Sequence, residues 1–557
     1  MRRKTTMVTI KRRDCLEALT LVGAGALLGS RLLTPSAHAA ETGLRFRGVD
    51  LGMLLEVEEK GGRFYDGHGN IADPVRTLAG AGANLVRLRL WVDPYTADGE
   101  AYGGGTNDLA RTIALAQRAK SAGMDVLLDF HLSDWWADPG TQTKPKAWRG
   151  LSGKPLQEAV RSHVYDSLVE LGRHGVRPAM VQMGNEISSG ILWPDGRVGG
   201  GIDDFSGLGA LLSAGFEGMD QALGPHHAVK KILHLDMGGD NALYRWWFDG
   251  VVHEGVDFDV IGLSYYPFWH RSMGELKENL NDLVNRYAKD ILIVETAYGW
   301  TLEDGDGITD SFYTKEEAAG GYPATVEGQT AYLRDLRDLI AAVPDGHGLG
   351  YVWWEPAWLP VPGAYWGTEA GKRDNDDGGV LGNPWDNQTL FDFDGHPLST
   401  MTVLGEPSPT NILANGSFEK DGYTSVPSGW GRWSPGTDND ASFVSAPGVR
   451  GDYKLTHWKD SAYVVSNYQV LSGVAAGTYR VEAWVLCSGG QNAAYMYAKR
   501  HGGSERQVAL PQSPGVWTRV AIEDLRVSSG KLEIGFYSDA QPGNWINVDD
   551  VRVFAQQ

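Results

Sequence analysis

Two short stretches of this chain place a carboxylate at the end of an apolar run: Met183-Gly184-Asn185-Glu186 and Ile293-Val294-Glu295-Thr296. If such a run is a strand of a parallel barrel, its end lies at the C-terminal mouth, where the catalytic groups of such barrels gather. Two glutamates facing one another there can cut a glycosidic bond, one protonating the departing oxygen and the other attacking the sugar. The acid needs a raised pKa, which apolar walls and a second carboxylate supply. Glu186 is the candidate for that task, and Asn185 beside it can hold the hydroxyl next to the reacting carbon. Glu295 is then the nucleophile and must stay ionised. Arg87 and Arg89 alternate on one face of Leu85–Trp91 and can point into the barrel, where buried arginines rarely lack a partner. Tyr265 and Tyr266 can donate to it as well, and Tyr266 is preferred because it lies nearer the mouth.

Other side chains suited to sugars crowd the same ends. The loop from Asp129 to Pro139 carries His131, Asp134, Trp135, Trp136 and Asp138. Asp138 can accept from hydroxyls and either indole can stack. His131 reads equally well as a site residue or as a satisfied structural histidine, and His234 and Asp236 have similar standing. Trp354 is expected to form the floor under the sugar being cut.

The elements that must position these residues alternate from Leu44 to about Leu404. Strands are expected at Phe46–Leu51, Leu85–Trp91, Asp125–Phe130, Met180–Gly184, Ile232–Leu235, Val260–Ser264, Ile291–Val294 and Gly350–Trp354. Amphipathic stretches such as Leu109–Ala122, Leu156–His174 and Gly328–Ala342 lie between them. Eight strands alternating with helices predict a (β/α)8 TIM barrel, an α/β fold, over residues 41–405. Residues 406–410, Glu-Pro-Ser-Pro-Thr, read as a linker. Residues 411–557 show period-two alternation and Gly-rich turns, which predict an all-β jelly-roll sandwich.

The 557 residues carry a formal net charge of -20, which argues against a nucleic-acid partner. Residues 1–40 read as a twin-arginine export signal. Arg12-Arg13 precedes a mild apolar run, Ala18 to Leu33, too short for a membrane span, and Ser36-Ala37-His38-Ala39-Ala40 is a cleavage pattern. A secreted bacterial protein, monomeric and without a membrane partner, is the expectation. Of the two cysteines, Cys15 and Cys487, the first leaves with the signal, so no internal disulfide is expected. No His/Asp cluster has metal-ligand spacing, so the chemistry is expected to need no cofactor.

The ordered motifs Gly-Val-Asp50-Leu-Gly, Val-Arg87-Leu-Arg89-Leu-Trp-Val, Asp-Phe-His131-Leu-Ser-Asp134-Trp-Trp-Ala-Asp138-Pro, Gly-Asn185-Glu186, Ile-Val-Glu295-Thr-Ala-Tyr and Trp353-Trp354-Glu355-Pro-Ala-Trp resemble glycoside hydrolase family 53, the arabinogalactan endo-β-1,4-galactanases. The resemblance implies a TIM barrel that hydrolyses β-1,4-galactan with retention, with Glu186 matching the acid/base and Glu295 the nucleophile. Retention places the two carboxyls roughly 5–5.5 Å apart. The rivals are another β-glycanase, cutting mannan or glucan, and a non-hydrolytic galactan-binding protein. The catalytic pair does not separate the glycans, whereas the Ser133–Pro139 loop favours galactan.

Some bacterial members of the family resemble calcium proteins in the loop after strand seven, and the resemblance implies the same of this chain. This chain has Asp304-Gly-Asp306-Gly-Ile308-Thr-Asp310 there, with alternate oxygen ligands on a Gly-containing turn, and partners expected within Asp374 to Asp386. In the β-domain, Asn415-Gly-Ser-Phe418-Glu419 and Trp545-Ile-Asn547-Val-Asp549-Asp550 resemble carbohydrate-binding jelly rolls, of which the galactan-binding family 61 is the nearest type. That likeness implies a second structural calcium at Glu419 and Asp550. Trp430, Trp433, Trp458 and Trp545 are the stacking candidates, with at least one expected to be exposed.

Overall fold

The structure is a computed structural model that describes residues 44–224, 226–375, 381–407, 411–449 and 452–556. The expected export signal, residues 1–40, and residues 408–410 of the expected linker lie outside the described residues.

Eight parallel strands close into a barrel: β1 Phe46–Asp50, β2 Leu85–Leu90, β3 Asp125–Phe130, β4 Met180–Met183, β5 Lys230–Leu235, β6 Val260–Ser264, β7 Asp290–Thr296 and β8 Gly348–Trp353, with β1 paired to both β2 and β8. Helices Leu109–Ser121, Gly153–Arg173 and Val326–Ala341 fall where the amphipathic pattern puts them. The lower barrel interior is apolar, with Leu85, Leu127, Met180, Ile232, Val260 and Leu292 in one cluster. Two residues further along their strands stand Arg87, Asp129, Gln182 and His234, all buried. Side chains two apart share a face of a strand, so the same inward face turns from apolar to polar towards the mouth.

Alternation alone would turn Glu295 outward, since Leu292 and Val294 already face in. A register shift between β6 and β7, where Leu263 pairs with Ile293 but Ser264 pairs with Glu295, inserts one extra residue. Such a bulge re-aims the side chain that follows it, and here it brings Glu295 into the barrel.

Ten antiparallel strands form the second domain: β9 Gly431–Trp433, β10 Ser442–Ser445, β11 Lys454–Trp458, β12 Tyr463–Ser472, β13 Gly477–Cys487, β14 Ala493–Lys499, β15 Arg506–Ala509, β16 Thr518–Val527, β17 Lys531–Ala540 and β18 Trp545–Gln556. They make two five-stranded sheets, ordered β9-β12-β17-β14-β15 and β10-β11-β18-β13-β16, with a shared apolar core that includes the free Cys487. The second sheet lies against barrel helices Met273–Tyr287 and Val326–Ala341. Across that junction Arg480 pairs with Asp338 (2.6 Å), Arg519 with Asp335 (2.9 Å), and Lys277 with Asp550. Removing one partner of such a buried pair strands the other charge. Among the described residues, no helix is long and apolar enough to cross a membrane.

Candidate active site

Arg87 organises the mouth. Its guanidinium is fully buried, and each nitrogen finds an acceptor: Nε donates to Gln182 Oε1 (3.2 Å), Nη1 to Asp50 Oδ2 (2.7 Å), and Nη2 to Asp129 Oδ2 (2.8 Å) and Asn185 Oδ1 (2.7 Å). Nη1 also lies 2.8 Å from Glu295 Oε1. Arginine suits this position because its planar fork serves several carboxylates at once. Arg89, one turn of the pleat higher, pairs with Asp50 (3.1 Å) and Glu355 (2.7 Å), and its guanidinium lies 4.6 Å from the centre of the Trp136 ring. Both arginines point into the barrel as expected. Both are buried and turned on carboxylates; every Arg87 nitrogen has an acceptor, whereas Arg89 Nε has none.

Glu295 is held from two sides, by Arg87 and by the Tyr266 hydroxyl, which donates to Oε2 (3.2 Å). Burial pushes its carboxyl up to about 7 against the pull of Arg87. Tyr265, the alternative donor, points elsewhere and bonds the Arg271 carbonyl.

Glu186 follows β4 with φ +48°, a left-handed conformation that a side chain adopts at a cost. Leu132 (φ +54°), Met237 (+53°) and Glu355 (+48°) share this bend just past β3, β5 and β8. Loss of hydration raises the Glu186 carboxyl well above the usual range, and the charges on Glu295 and Asp236 add to the rise, while a hydrogen bond with Ser264 opposes it. Its backbone N–H donates to His234 Nδ1 (3.3 Å), and His234 Nε2 lies 2.8 Å from Ser264 Oγ. With Nδ1 accepting, Nε2 carries the proton and donates to Ser264, which fixes the imidazole as neutral. Burial likewise holds the His234 pKa well below its usual value.

Asn185 is buried. Its Nδ2 donates to the Ala137 carbonyl (2.8 Å), and its Oδ1 accepts from Arg87. Asp236 and Asp138 stand near Glu186 on the side of β5 and the β3 loop, each raising a neighbour's proton affinity. Trp354 is buried at the end of β8, edge-on to Trp385 (4.6 Å) and tilted against Trp136 (6.1 Å).

Two aromatic and histidine expectations need correction. Trp135 is core, filling the space against Gly367 and Gly371, so of the pair only Trp136 lies beside Trp354. His131 is a structural histidine: Nδ1 accepts from Trp91 Nε1 (3.2 Å) and Nε2 lies 3.0 Å from Asp129 Oδ2. Sequence reasoning also missed Asp50, Asp129, Gln182, Ser264, Glu355 and Trp385 as parts of the site. Asp50, Asp129 and Glu355 carry the signal that found Glu295, a carboxylate ending an apolar strand.

A second acidic cluster lies in the loop after β7. One oxygen from each of Asp304, Asp306 and Asp386 falls within 4.8 Å of the others. Asp304 Oδ1 accepts from the Asp306 and Gly307 amides, and Asp306 accepts from the Ile308 and Asn383 amides. Asp310 is buried with neither carboxylate oxygen donated to, and burial with the neighbouring charges of Asp386, Asp304 and Asp306 pushes it up to about 9. Asp386 rises to about 8 for the same reasons. Among the described residues, no Lys or Arg pairs with any of the four, so the donor set fits an oxygen-seeking cation.

The β-domain pair does not fit one as expected. Asp550 faces the barrel, where Lys277 and Arg552 (2.7 Å) both neutralise it. Glu419 turns instead to the Asp452 and Tyr453 amides (3.1 and 2.8 Å). The core positions Ile546 and Val548 give way to Val551 and Val553, so two acidic residues stand where alternation allows one. Trp430 is core, while Trp433 and Trp458 are 48% and 44% exposed.

The family description "Glycosyl hydrolase family 53" matches residues 46–404. An endo-β-1,4-galactanase of Bacillus subtilis is 35% identical over 376 residues, covering 64% of this chain and 85% of that protein. An arabinogalactan endo-β-1,4-galactanase of Thermothelomyces thermophilus is 33% identical over 65% of this chain and 99% of its own. Among solved structures, the GH53 catalytic domain of Ignisphaera aggregans is 41% identical, with a TM-score of 0.59 over 65% of this chain and 96% of that domain.

Proposed function

The chain belongs to glycosyl hydrolase family 53, and on that premise we propose that it is an endo-β-1,4-galactanase acting on the β-1,4-galactan of arabinogalactan, with retention of configuration. The names of its bacterial and fungal relatives support the substrate. One observation carries the mechanism: Arg87 touches Glu295 at 2.8 Å, while the charges acting on Glu186 are those of other carboxylates. Arg87 pulls Glu295 down against its burial while neighbouring carboxylates push Glu186 further up, so Glu295 ionises before Glu186 does.

The ionised Glu295 attacks the anomeric carbon as Glu186 gives its proton to the glycosidic oxygen, so one C–O bond forms as another breaks. Glu186, now a base, takes a proton from water; the oxygen attacks the same carbon and frees Glu295, leaving the β-anomer. Asn185, fixed by Arg87 and Ala137, orients the hydroxyl beside the reacting carbon, and Trp354 forms the floor. Potato galactan, mannan and cellulose offered side by side test the substrate. Glu186→Gln and Glu295→Gln should each abolish hydrolysis while polymer binding persists; full activity in either variant rejects the roles.

The reading extends to three parts around the barrel. A calcium ion would be held by Asp304, Asp306, Asp310 and Asp386 with the Ile308 carbonyl, serving the stability of the loop rather than the chemical step. The β-domain binds galactan through exposed indoles such as Trp433 and Trp458, raising the local concentration of enzyme on polymer. Residues 1–40 direct twin-arginine export, testable by tracking the chain in strains with and without that pathway.

A further inference from the structure

Beside the mouth lies an open groove of about 660 Å³ that none of the site residues described above lines. It begins where the catalytic loop continues past Glu186. The turn Ile187–Ser189 leads directly into a two-stranded hairpin, Gly190–Ile191 with Gly196–Arg197, and then into Gly199-Gly200-Gly201. All three glycines have positive φ (+78°, +61° and +93°), a run that residues with side chains do not follow without strain.

The groove is physically continuous with the acid's surroundings. Ser188 hydrogen-bonds Asp236, and Ser189 Oγ donates to the Pro139 carbonyl (2.8 Å), next to Asp138. Two part-exposed indoles line it. Trp246 is steadied by its Nε1 bond to Asp203 (3.1 Å) and by the edge of Phe205 (5.1 Å); Trp193 bonds the Ser189 carbonyl (2.9 Å) and carries the Arg197 guanidinium over its ring at 4.4 Å. Arg197 and Asp203 are the only charged residues in the lining, and they cancel. On a chain of net charge -20 such a neutral, indole-lined groove suits an uncharged polyhydroxylated chain rather than a cation or a polyanion.

The chemistry fixes which half of the polymer this is. The acid must stand beside the oxygen that departs, and the groove joins the mouth through Ser188 on Asp236 and Ser189 beside Asp138, the carboxylates that act on Glu186, which assigns it to the leaving-group side. We infer that the Trp193–Trp246 groove binds the departing, reducing-end portion of a neutral β-glycan, beyond the first leaving-group sugar. This rests on the hydrolase reading above. It also implies that the same groove seats acceptor sugars when the glycosyl-enzyme is intercepted by a saccharide in place of water.

The test compares Trp246→Ala and Arg197→Ala with wild type on two substrates: whichever linear β-glycan the wild type cleaves, and a nitrophenyl β-glycoside whose leaving group does not extend into the groove. The expected result is a kcat/KM on polymer at least tenfold lower in Trp246→Ala, mostly in KM, with the aryl glycoside cleaved at no less than half the wild-type rate. Transfer to an added disaccharide acceptor should fall in parallel. Arg197→Ala, a change at an exposed residue, should show the same pattern more weakly. Equal losses on both substrates would mean Trp246 is structural, and undiminished polymer cleavage in both variants would overturn the groove. Wild-type inactivity on galactan but activity on another glycan would reject the substrate reading alone, and the groove comparison would then be made on that glycan.

Discussion

Four acidic residues of the barrel mouth and four of the loop after β7 meet the same electrostatic problem in opposite ways. At the mouth, Asp50, Asp129, Glu295 and Glu355 surround two arginines that belong to the fold. In the loop, Asp304, Asp306 and Asp386 accept from backbone amides, Asp310 accepts from none, and among the described residues no Lys or Arg pairs with any of the four. Each buried carboxylate costs several kcal/mol unless it is compensated. Around Arg87 and Arg89 the compensating charge is therefore part of the fold. On the calcium reading proposed above, the loop takes its compensating charge from outside the fold.

The sharpest break of this comparison removes the internal cation. Arg87→Met strands Asp50, Asp129 and Glu295 together. It should lower unfolding free energy by about 3–5 kcal/mol and raise the Glu295 pKa, so that residual activity needs higher pH. Denaturant unfolding with a pH–rate profile reads both, and wild-type stability would show that Arg87 does not neutralise the mouth.

Next in size is the loop. Chelation should lower the melting temperature while leaving the intrinsic chemical step nearly unchanged, and added calcium should restore it. The sign of the pH dependence follows from Asp310 and Asp386, raised to about 9 and about 8 without a cation. A carboxyl whose folded pKa exceeds its unfolded value of about 4 destabilises the fold increasingly as pH climbs from that value towards the folded one. The loss on chelation should thus be larger at pH 8 than at pH 5. Melting curves with and without EDTA at both values decide it, and identical curves would refute the cation. Asp310→Asn sharpens the point by removing one repelling charge: it should stabilise the chelated protein and weaken calcium binding, both read by titration calorimetry and melting.

The smallest effect is expected from Tyr266→Phe. Its hydroxyl donates to Glu295 at 3.2 Å, and loss of a donor to the ionised form raises a carboxyl pKa. The acid limb of the kcat/KM profile should move up by a fraction of a unit, with a modest drop in rate. No shift would leave Arg87 as the sole support of that charge.

Much of this was legible in the sequence because strand ends are marked by composition. Expected and observed barrel strands agree to within about two residues, since Val-, Ile- and Leu-rich runs bounded by polar loops have few alternatives in a buried parallel sheet. Asn185, Glu186, Tyr266 and Trp354 fall at those ends and meet in space. What could not be read is the direction of side chains at bulges. Glu295 faces inward through an extra residue in β7, and Asp550 turns to Lys277 because two acidic residues intervene between core positions of β18. Period-two reasoning fails at both points, because a one-residue insertion reverses the face. The roles of His131 and Trp135 were equally hidden: their burial depends on Trp91 and Gly367, which are brought to them from other parts of the chain.

The most direct measurement of the central claim is covalent trapping. A 2-deoxy-2-fluoro β-galactobiosyl fluoride forms the glycosyl-enzyme but slows its release, and peptide mass spectrometry locates the sugar. The division of labour imposed by Arg87 predicts one label per chain, on the peptide bearing Glu295, and none on Glu186. A label on Glu186, or turnover without any adduct and with the α-anomer released first, would contradict it.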